Sequence, residues 1–448
     1  MQKAMKVSRR EFCRRSAAGL AGVVAAGAAP VFVPARVLGA EAPSKKLALG
    51  VVGCGRIANA YNVPSCLKNG GKELCEFIAL SDVDLVRLRH LKRQLAGEKM
   101  QGRDLVADAR CYQDYRRLLA DPAVDGVLIA VPDHWHAQMA IEACRAGKDV
   151  FLQKPMAMTI GEGRAIVDAA KKYGRILRTG TQERTEENFI HAVECVREGR
   201  IGKVVRVEVG LPGGHSTRSR GFLGLPGAAV PDGLDWDFWV GPAPARPFEG
   251  VYDWDWRWVS DWGGGQLMDW IGHHGDIAQW GLSMDGSGPV SFEGWGDGYR
   301  KNCIFDTPQR YRVECVYANG VKMTIAGGVG EIRSGTKWIG ENGDWVWVNR
   351  GRYEASSPAI YNSRLEPGEI RLKSPGHWRQ FIDCVKNRAT TITPAEVAHR
   401  SASIGHLCRV AIATGRKITW DPATERIVGD ACAEKLLQRP IRGPWKLV

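Results

Sequence analysis

The stretch LALGVVGCGRIANA, Leu47 to Ala60, constrains the fold more than any other part of the chain. An apolar, β-rich run ends on glycine and passes at once into helix-favouring sequence, so strand, tight turn and helix follow directly. The spacing Gly53-x-Gly55-x-x-Ala58 gives that turn its character. Gly53 allows the tight turn, Gly55 lets the main chain approach a pyrophosphate, and the small Ala58 lets helix and strand pack. The helix then offers its first N–H groups to phosphate. A second apolar run, CEFIALSD, ends at Asp82, where an acid would meet the adenosine ribose hydroxyls. A carboxylate there repels a 2′-phosphate, so NAD is expected over NADP. Gly53, Gly55, Arg56, Ile57, Ala58 and Asp82 are the expected cofactor contacts at this end.

Further apolar runs, DGVLIAVP and DVFLQKP, alternate with the helical patterns VDLVRLRHLKRQLA, QDYRRLLAD and HWHAQMAIEACRAG. Repeated strand-helix alternation predicts an α/β fold with a parallel sheet covered on both faces. Thr159 followed by Glu162 has the form of a capping box opening the next helix. Pro132, His134 and His136, just past a predicted strand, are candidates for the nicotinamide edge, with a plain helix-start role as the other reading of the histidines. From about residue 203 the texture changes to longer alternating strands, and Asn319-Gly320 marks a hairpin. A second, mainly antiparallel sheet with helices on one side fits that region. The expected organisation is a leader over 1–42, a dinucleotide-binding unit over 46–172 and a second α/β unit over 173–448.

The net charge of +13 invites a nucleic-acid reading, but the first forty residues hold six of those charges. No basic run or RNA-binding motif accompanies the rest, so no nucleic acid partner is expected. Residues 6–43 read KVSRREFCRR, then a mildly apolar Gly/Ala segment, then VLGAEAP. Arg9-Arg10 after Ser8, with Phe12 beyond, resembles a twin-arginine export signal. The expectation is a periplasmic or otherwise exported protein, a partner in the export machinery, and no stable membrane insertion after processing. Twelve cysteines, Cys13 among the leader residues, show no CxxC spacing and describe no disulfide framework.

With GVVGCGRIANA, VPDHWHAQMAIEACRAGKDVFLQKPMAM and MDWIGHHGDIAQW in this order, the chain resembles the glucose-fructose oxidoreductase, inositol dehydrogenase and MocA family over about residues 46–425. The resemblance implies a Rossmann domain followed by an α/β domain whose open antiparallel sheet often forms a subunit interface, hence a homo-oligomer, with C-terminal helices returning toward the first domain. The family's Glu-Lys-Pro motif falls on Gln153-Lys154-Pro155. Glutamine keeps an acceptor oxygen and loses the charge, which alters the electrostatics beside Lys154 and the nicotinamide. The resemblance implies that Lys154 approaches substrate hydroxyl and nicotinamide, where its charge would stabilise an alkoxide.

The segment GGGQLMDWIGHHGDIAQW, Gly263 to Trp280, read as a helix places Asp269 and His273 on one face, with Asp276 nearly on it. By resemblance His273 is the general base, a task imidazole suits near neutral pH. Asp269 is then its orienting partner or a substrate ligand, and Lys154 the electrostatic support. His274 and Asp276 either bind substrate or hold the helix. Asp269, His273 and Asp276 could also offer one helical face to a metal, but no Cys/His partner elsewhere has matching spacing, and none is expected.

The tryptophan-rich DWDFWVGP through YDWDWRWVSDWGGG runs straight into this segment. Flat rings beside Asp and Arg suit the faces and hydroxyls of a sugar, which makes Trp254 and Arg257 substrate candidates. The leading expectation is a dehydrogenase acting on a sugar, polyol or glycoside. A redox-neutral enzyme that oxidises a sugar with bound NAD, permits elimination or glycosidic cleavage and returns the hydride is the alternative. A non-catalytic sugar-binding protein is the third reading, and rests only on Gln153.

Overall fold

Six strands form the first sheet: β1 (Leu47–Val52), β2 (Cys75–Ser81), β3 (Arg110–Tyr112), β4 (Gly126–Ile129), β5 (Asp149–Leu152) and β6 (Leu177–Thr179), in the order β3-β2-β1-β4-β5-β6. Every neighbouring pair is parallel. That order reverses between β1 and β4, so the ends of these two strands flank the crevice where a dinucleotide fold binds its ligand. The computed structural model describes residues 46–71, 74–96, 99–100, 103–104, 109–214, 224–297 and 303–447. The expected leader and its arginine pair lie outside the described residues.

Strands β4 and β5 are buried along their whole length, as helices on both faces of a parallel sheet require. Thr159 caps the helix Ile160–Lys172 by accepting from the Glu162 N–H at 3.2 Å. The Glu162 carboxylate reaches back one residue further than a capping box would, to the Met158 N–H at 2.9 Å. The strand β3 carried no apolar run in the sequence. It is a three-residue edge strand with Arg110 and Cys111 exposed and only Tyr112 half-buried, so nothing forces an apolar pattern on it.

The second sheet has nine strands. They are β7 (Val204–Leu211), β8 (Ser291–Gly296), β9 (Tyr311–Val316), β10 (Lys322–Gly327), β11 (Gly335–Gly340), β12 (Trp345–Asn349), β13 (Arg352–Ala355), β14 (Ile418–Asp421) and β15 (Arg426–Ile427). Their order is β13-β12-β11-β7-β10-β9-β8-β14-β15. All pairs are antiparallel except β7 with β10. The hairpin between β9 and β10 turns at Asn319-Gly320, where Gly320 takes φ +86°.

Two helices late in the chain tie the sheets together. Trp378 on His377–Asn387 is fully buried and stacks on Phe151 of β5, with ring centroids 4.0 Å apart and planes at 12°. The helix Ala395–Thr414 packs against both Ile160–Lys172 and the second sheet. Farther on, Arg439 donates to Glu162 at 2.7 Å and to the His134 carbonyl at 2.8 Å, and Trp445 stacks on Phe238.

Candidate active site

A cavity of about 630 Å³ opens at the carboxyl ends of β1, β2, β4 and β5 and runs to the second sheet. At its start Gly53 has φ +91°, and a Cβ there would lie 2.6 Å from the Ala130 carbonyl oxygen, so only glycine fits between the β1 and β4 ends. At Gly55 the nearest atom to a Cβ would be Arg87 Nη1 at 3.4 Å, which leaves the main chain open to the cavity. Gly53, Gly55, Arg56 and Ile57 line it, while Ala58 is buried beneath, against the sheet. The helix that follows has π geometry over Ala58–Asn62. Asp82 also faces the cavity. It accepts from the Cys54 N–H at 2.7 Å and the Asp84 N–H at 2.8 Å, and burial pushes its carboxyl up to about 6. A tight glycine turn, an approachable main chain and an acid at the second strand end fit a dinucleotide.

At the far end Lys154, on the cis-Pro155 turn after β5, meets the helix that carried the histidines. Its ammonium donates to the Asp269 carboxylate at 2.5 Å and to the Asp269 carbonyl at 3.0 Å. Arg257 Nε lies 3.7 Å from the same carboxylate. Burial would raise the Asp269 carboxyl, but Lys154 and Arg257 hold it well below the usual range. Asp269 is therefore the counter-ion of Lys154 and not the orienting partner of His273. That partner is Glu183, just past β6. Its carboxylate accepts from His273 Nδ1 at 2.8 Å and from Arg350 at 2.7 Å. Glu183 is fully buried, which would raise it, yet His273 and Arg350 bring it below the carboxylate range. His273 Nε2 is left toward the cavity, with Arg350 Nη2 at 3.3 Å.

The helix around His273 is α over Gly265–Trp270 and Asp276–Gly281 but π over Ile271–Gly275. Asp269 and His273 both line the cavity; His274 and Asp276 do not. His274 is wholly buried against Trp270, its ring nitrogens without partners among the described residues and its pKa pushed down by burial to about 3. Asp276 is bound by Arg184 at 2.7 Å and by the Ser401 hydroxyl at 2.6 Å. Neither is available to a substrate in the cavity, so both hold the fold.

His134 and His136 also stand back from the cavity. His134 Nε2 meets the Trp239 carbonyl at 3.0 Å, and His136 lies between the carbonyls of Pro155, at 2.6 Å from Nδ1, and Val131, at 3.0 Å from Nε2. Burial pushes them down, to about 3 and about 4, and both are spent on holding the turns after β4 and β5. Pro132 and Gln153 do line the cavity, and Gln153 donates to Asn62 at 2.9 Å. Trp254 and Arg257 line it too. The Trp254 ring has Arg56 3.6 Å and Arg257 3.9 Å from its centroid, so cations take up much of the aromatic surface the sequence offered to a sugar. Among the described residues no group of three or more His, Cys, Asp or Glu could hold a metal.

A Rossmann-type sheet with a glycine turn, joined to an open mixed sheet whose helix brings a lysine-carboxylate pair and a histidine-glutamate pair into one cavity, defines a two-lobed dinucleotide-binding protein. The chain belongs to the Gfo/Idh/MocA oxidoreductase family: residues 47–181 match its NAD-binding Rossmann fold and residues 188–447 its C-terminal alpha/beta domain. It is 32% identical over 157 residues to a myo-inositol 2-dehydrogenase of Thermotoga maritima, a match covering 35% of this chain and 42% of that protein. The match thus spans about two-fifths of the relative's length. Among solved structures, the fold is similar to the WlbA dehydrogenase from Bordetella pertussis in complex with NADH and UDP-GlcNAcA, with a TM-score of 0.61 at 18% identity, covering 84% of this chain and 98% of that one. An aldose-aldose oxidoreductase from Caulobacter crescentus complexed with glycerol is similar at TM-score 0.56 and 20% identity, over 84% and 99% of the two chains.

Proposed function

We propose that the chain is an NAD-dependent oxidoreductase that moves hydride between nicotinamide and a hydroxyl-bearing carbon of a sugar, polyol or glycoside. The observation that carries this reading is the continuity of one cavity from Gly53, Gly55 and Asp82 to Lys154, Asp269 and His273. Bound NAD supplies the hydride acceptor. The carboxylate of Asp82 suits free ribose hydroxyls and repels a 2′-phosphate, which supports NAD over NADP.

The protein's own groups handle the proton. His273 Nε2 takes the hydroxyl proton while Glu183 keeps Nδ1 protonated and the ring oriented. Substrate hydroxyl replaces Arg350 at Nε2 as it enters. Lys154, anchored by Asp269, places its ammonium where negative charge grows on the substrate oxygen. The similarity to a myo-inositol 2-dehydrogenase supports a polyhydroxylated ring as substrate.

The test is reduction of NAD⁺, followed at 340 nm, with myo-inositol, D-glucose, N-acetyl-D-glucosamine and D-glucuronate, beside mass spectrometry of nucleotide released on denaturing the purified protein. Turnover with a member of this panel is expected. No absorbance change with any sugar, together with about one NAD(H) retained per chain, would favour the redox-neutral reading instead. The arginine pair near the N-terminus is what keeps that second reading in view, because an exported enzyme has no obvious supply of exchangeable NAD. Export and assembly into a homo-oligomer are part of the same proposal.

A further inference from the structure

The turn after β4 carries a carboxyl group that none of the roles above uses. Asp133 lines the cavity together with Lys154, Arg257 and Asp269, and is 5% exposed. The residues that follow it are held one by one. His134 N–H donates to the Trp262 carbonyl at 3.2 Å, Trp135 Nε1 to the Trp239 carbonyl at 2.8 Å, and His136 is clamped between two carbonyls. Arg439 fixes the His134 carbonyl from the other side. A rigid turn thus presents Asp133 to the cavity, while its carboxyl takes part in no hydrogen bond or ion pair among the described residues. A carboxyl that faces the cavity with no partner of its own has both oxygens open to a ligand.

The charges facing Asp133 come from four elements. They are Asp269 of the histidine-bearing helix, Arg257 of the tryptophan-rich loop, Lys154 after β5 and Arg409 of Ala395–Thr414. Lys154 is already paired with Asp269. Burial, with the Asp269 carboxylate behind it, pushes Asp133 up to about 8 against the pull of the three cations. That shift favours the protonated form near neutral pH, a carboxylic acid with an O–H to give.

We propose that Asp133 contacts the substrate, its carboxylic acid O–H donating to the sugar oxygen next to the reacting carbon, and that only the protonated form binds well. This rests on the oxidoreductase reading for the identity of the ligand. Above the Asp133 pKa the cavity would hold a second carboxylate beside Asp269, this one unpaired, an acceptor facing the lone pairs of the substrate. Asparagine keeps a donor of similar shape at every pH, and alanine keeps none.

The experiment measures Kd for each of the four panel sugars against the NAD⁺-loaded protein by quenching of tryptophan fluorescence, since Trp254, Trp256 and Trp270 line the cavity. Wild type, Asp133→Asn and Asp133→Ala are compared from pH 6 to 9.5, with thermal melts to show that all three fold. For wild type, Kd is expected to rise about tenfold between pH 8.5 and 9.5, the slope of a single ionisation. Asp133→Asn is expected to stay flat, within about threefold of the wild-type value at pH 7. Asp133→Ala should bind about tenfold more weakly at pH 7, the loss of one good hydrogen bond. An Asp133→Asn variant that keeps the wild-type pH dependence, or an Asp133→Ala variant with unchanged Kd, overturns the proposal. Binding with this pH signature but without NAD⁺ reduction overturns only the dehydrogenase reading. Wild-type protein that binds none of the sugars overturns both.

Discussion

A histidine can accept a proton at Nε2 only while Nδ1 keeps its own, and the Glu183 carboxylate, 2.8 Å away and fully buried, secures that tautomer. Replacing His273 by alanine removes the acceptor, and replacing Lys154 by alanine removes the charge beside the oxygen. Each should lower kcat by about 10²–10⁴-fold with the melting temperature little changed, as turnover assays beside thermal melts would show. Asp82 gives a second expectation. Its carboxyl, raised by burial to about 6, is neutral below that pH and then loses its acceptor strength toward ribose hydroxyls. The Kd for NAD⁺ should therefore rise as pH falls from 7 to 5, and calorimetric titration should show that dependence gone in Asp82→Asn. Lys154, Asp269, His273 and the glycines were legible in the sequence because each sits in a short motif. Glu183 and Arg350 were not. The only trace of Glu183 is an acid just past a parallel strand, where ligands gather, and Arg350 reaches the site from a hairpin turn, through contacts that no spacing along the chain encodes.

The helix bearing His273 shows what periodicity can and cannot reveal. Read as a helix, it already put Asp269 and His273 on one face, and both line the cavity; the helix runs π over Ile271–Gly275, and Asp276 just past it turns to Arg184 instead. Single-turn π segments of this kind recur at functional sites. The short edge strand β3 was missed for the opposite reason, since exposed residues carry no pattern. The late helix His377–Asn387 acts on another element altogether, because Trp378 completes the packing around Phe151 of β5. Trp378→Ala should cost about 3–5 kcal/mol by leaving a large cavity in a closed core. Denaturant unfolding would measure it, and a loss below about 1 kcal/mol would mean that the first sheet's core closes without this helix.

At the scale of the molecule, the two sheets share one cavity, and the alternation of strands and helices in the first was readable from its apolar runs onward. That C-terminal helices return to the first domain came from the family resemblance alone; the joining contacts themselves were not readable, because they link residues hundreds of positions apart. The expected leader carries one further prediction. Replacing both Arg9 and Arg10 by lysine should leave the chain in the cytoplasmic fraction of an expressing bacterium, whereas unchanged export by cell fractionation would remove the twin-arginine reading. The stacking of Trp378 on Phe151 has a consequence in time as well as in space. The strands of the nucleotide-binding sheet leave the ribosome early, yet part of their core waits for a helix synthesised long afterwards. A nascent chain halted after β6 would still display the apolar flank of Phe77 and Phe151 to whatever chaperone or neighbour it met.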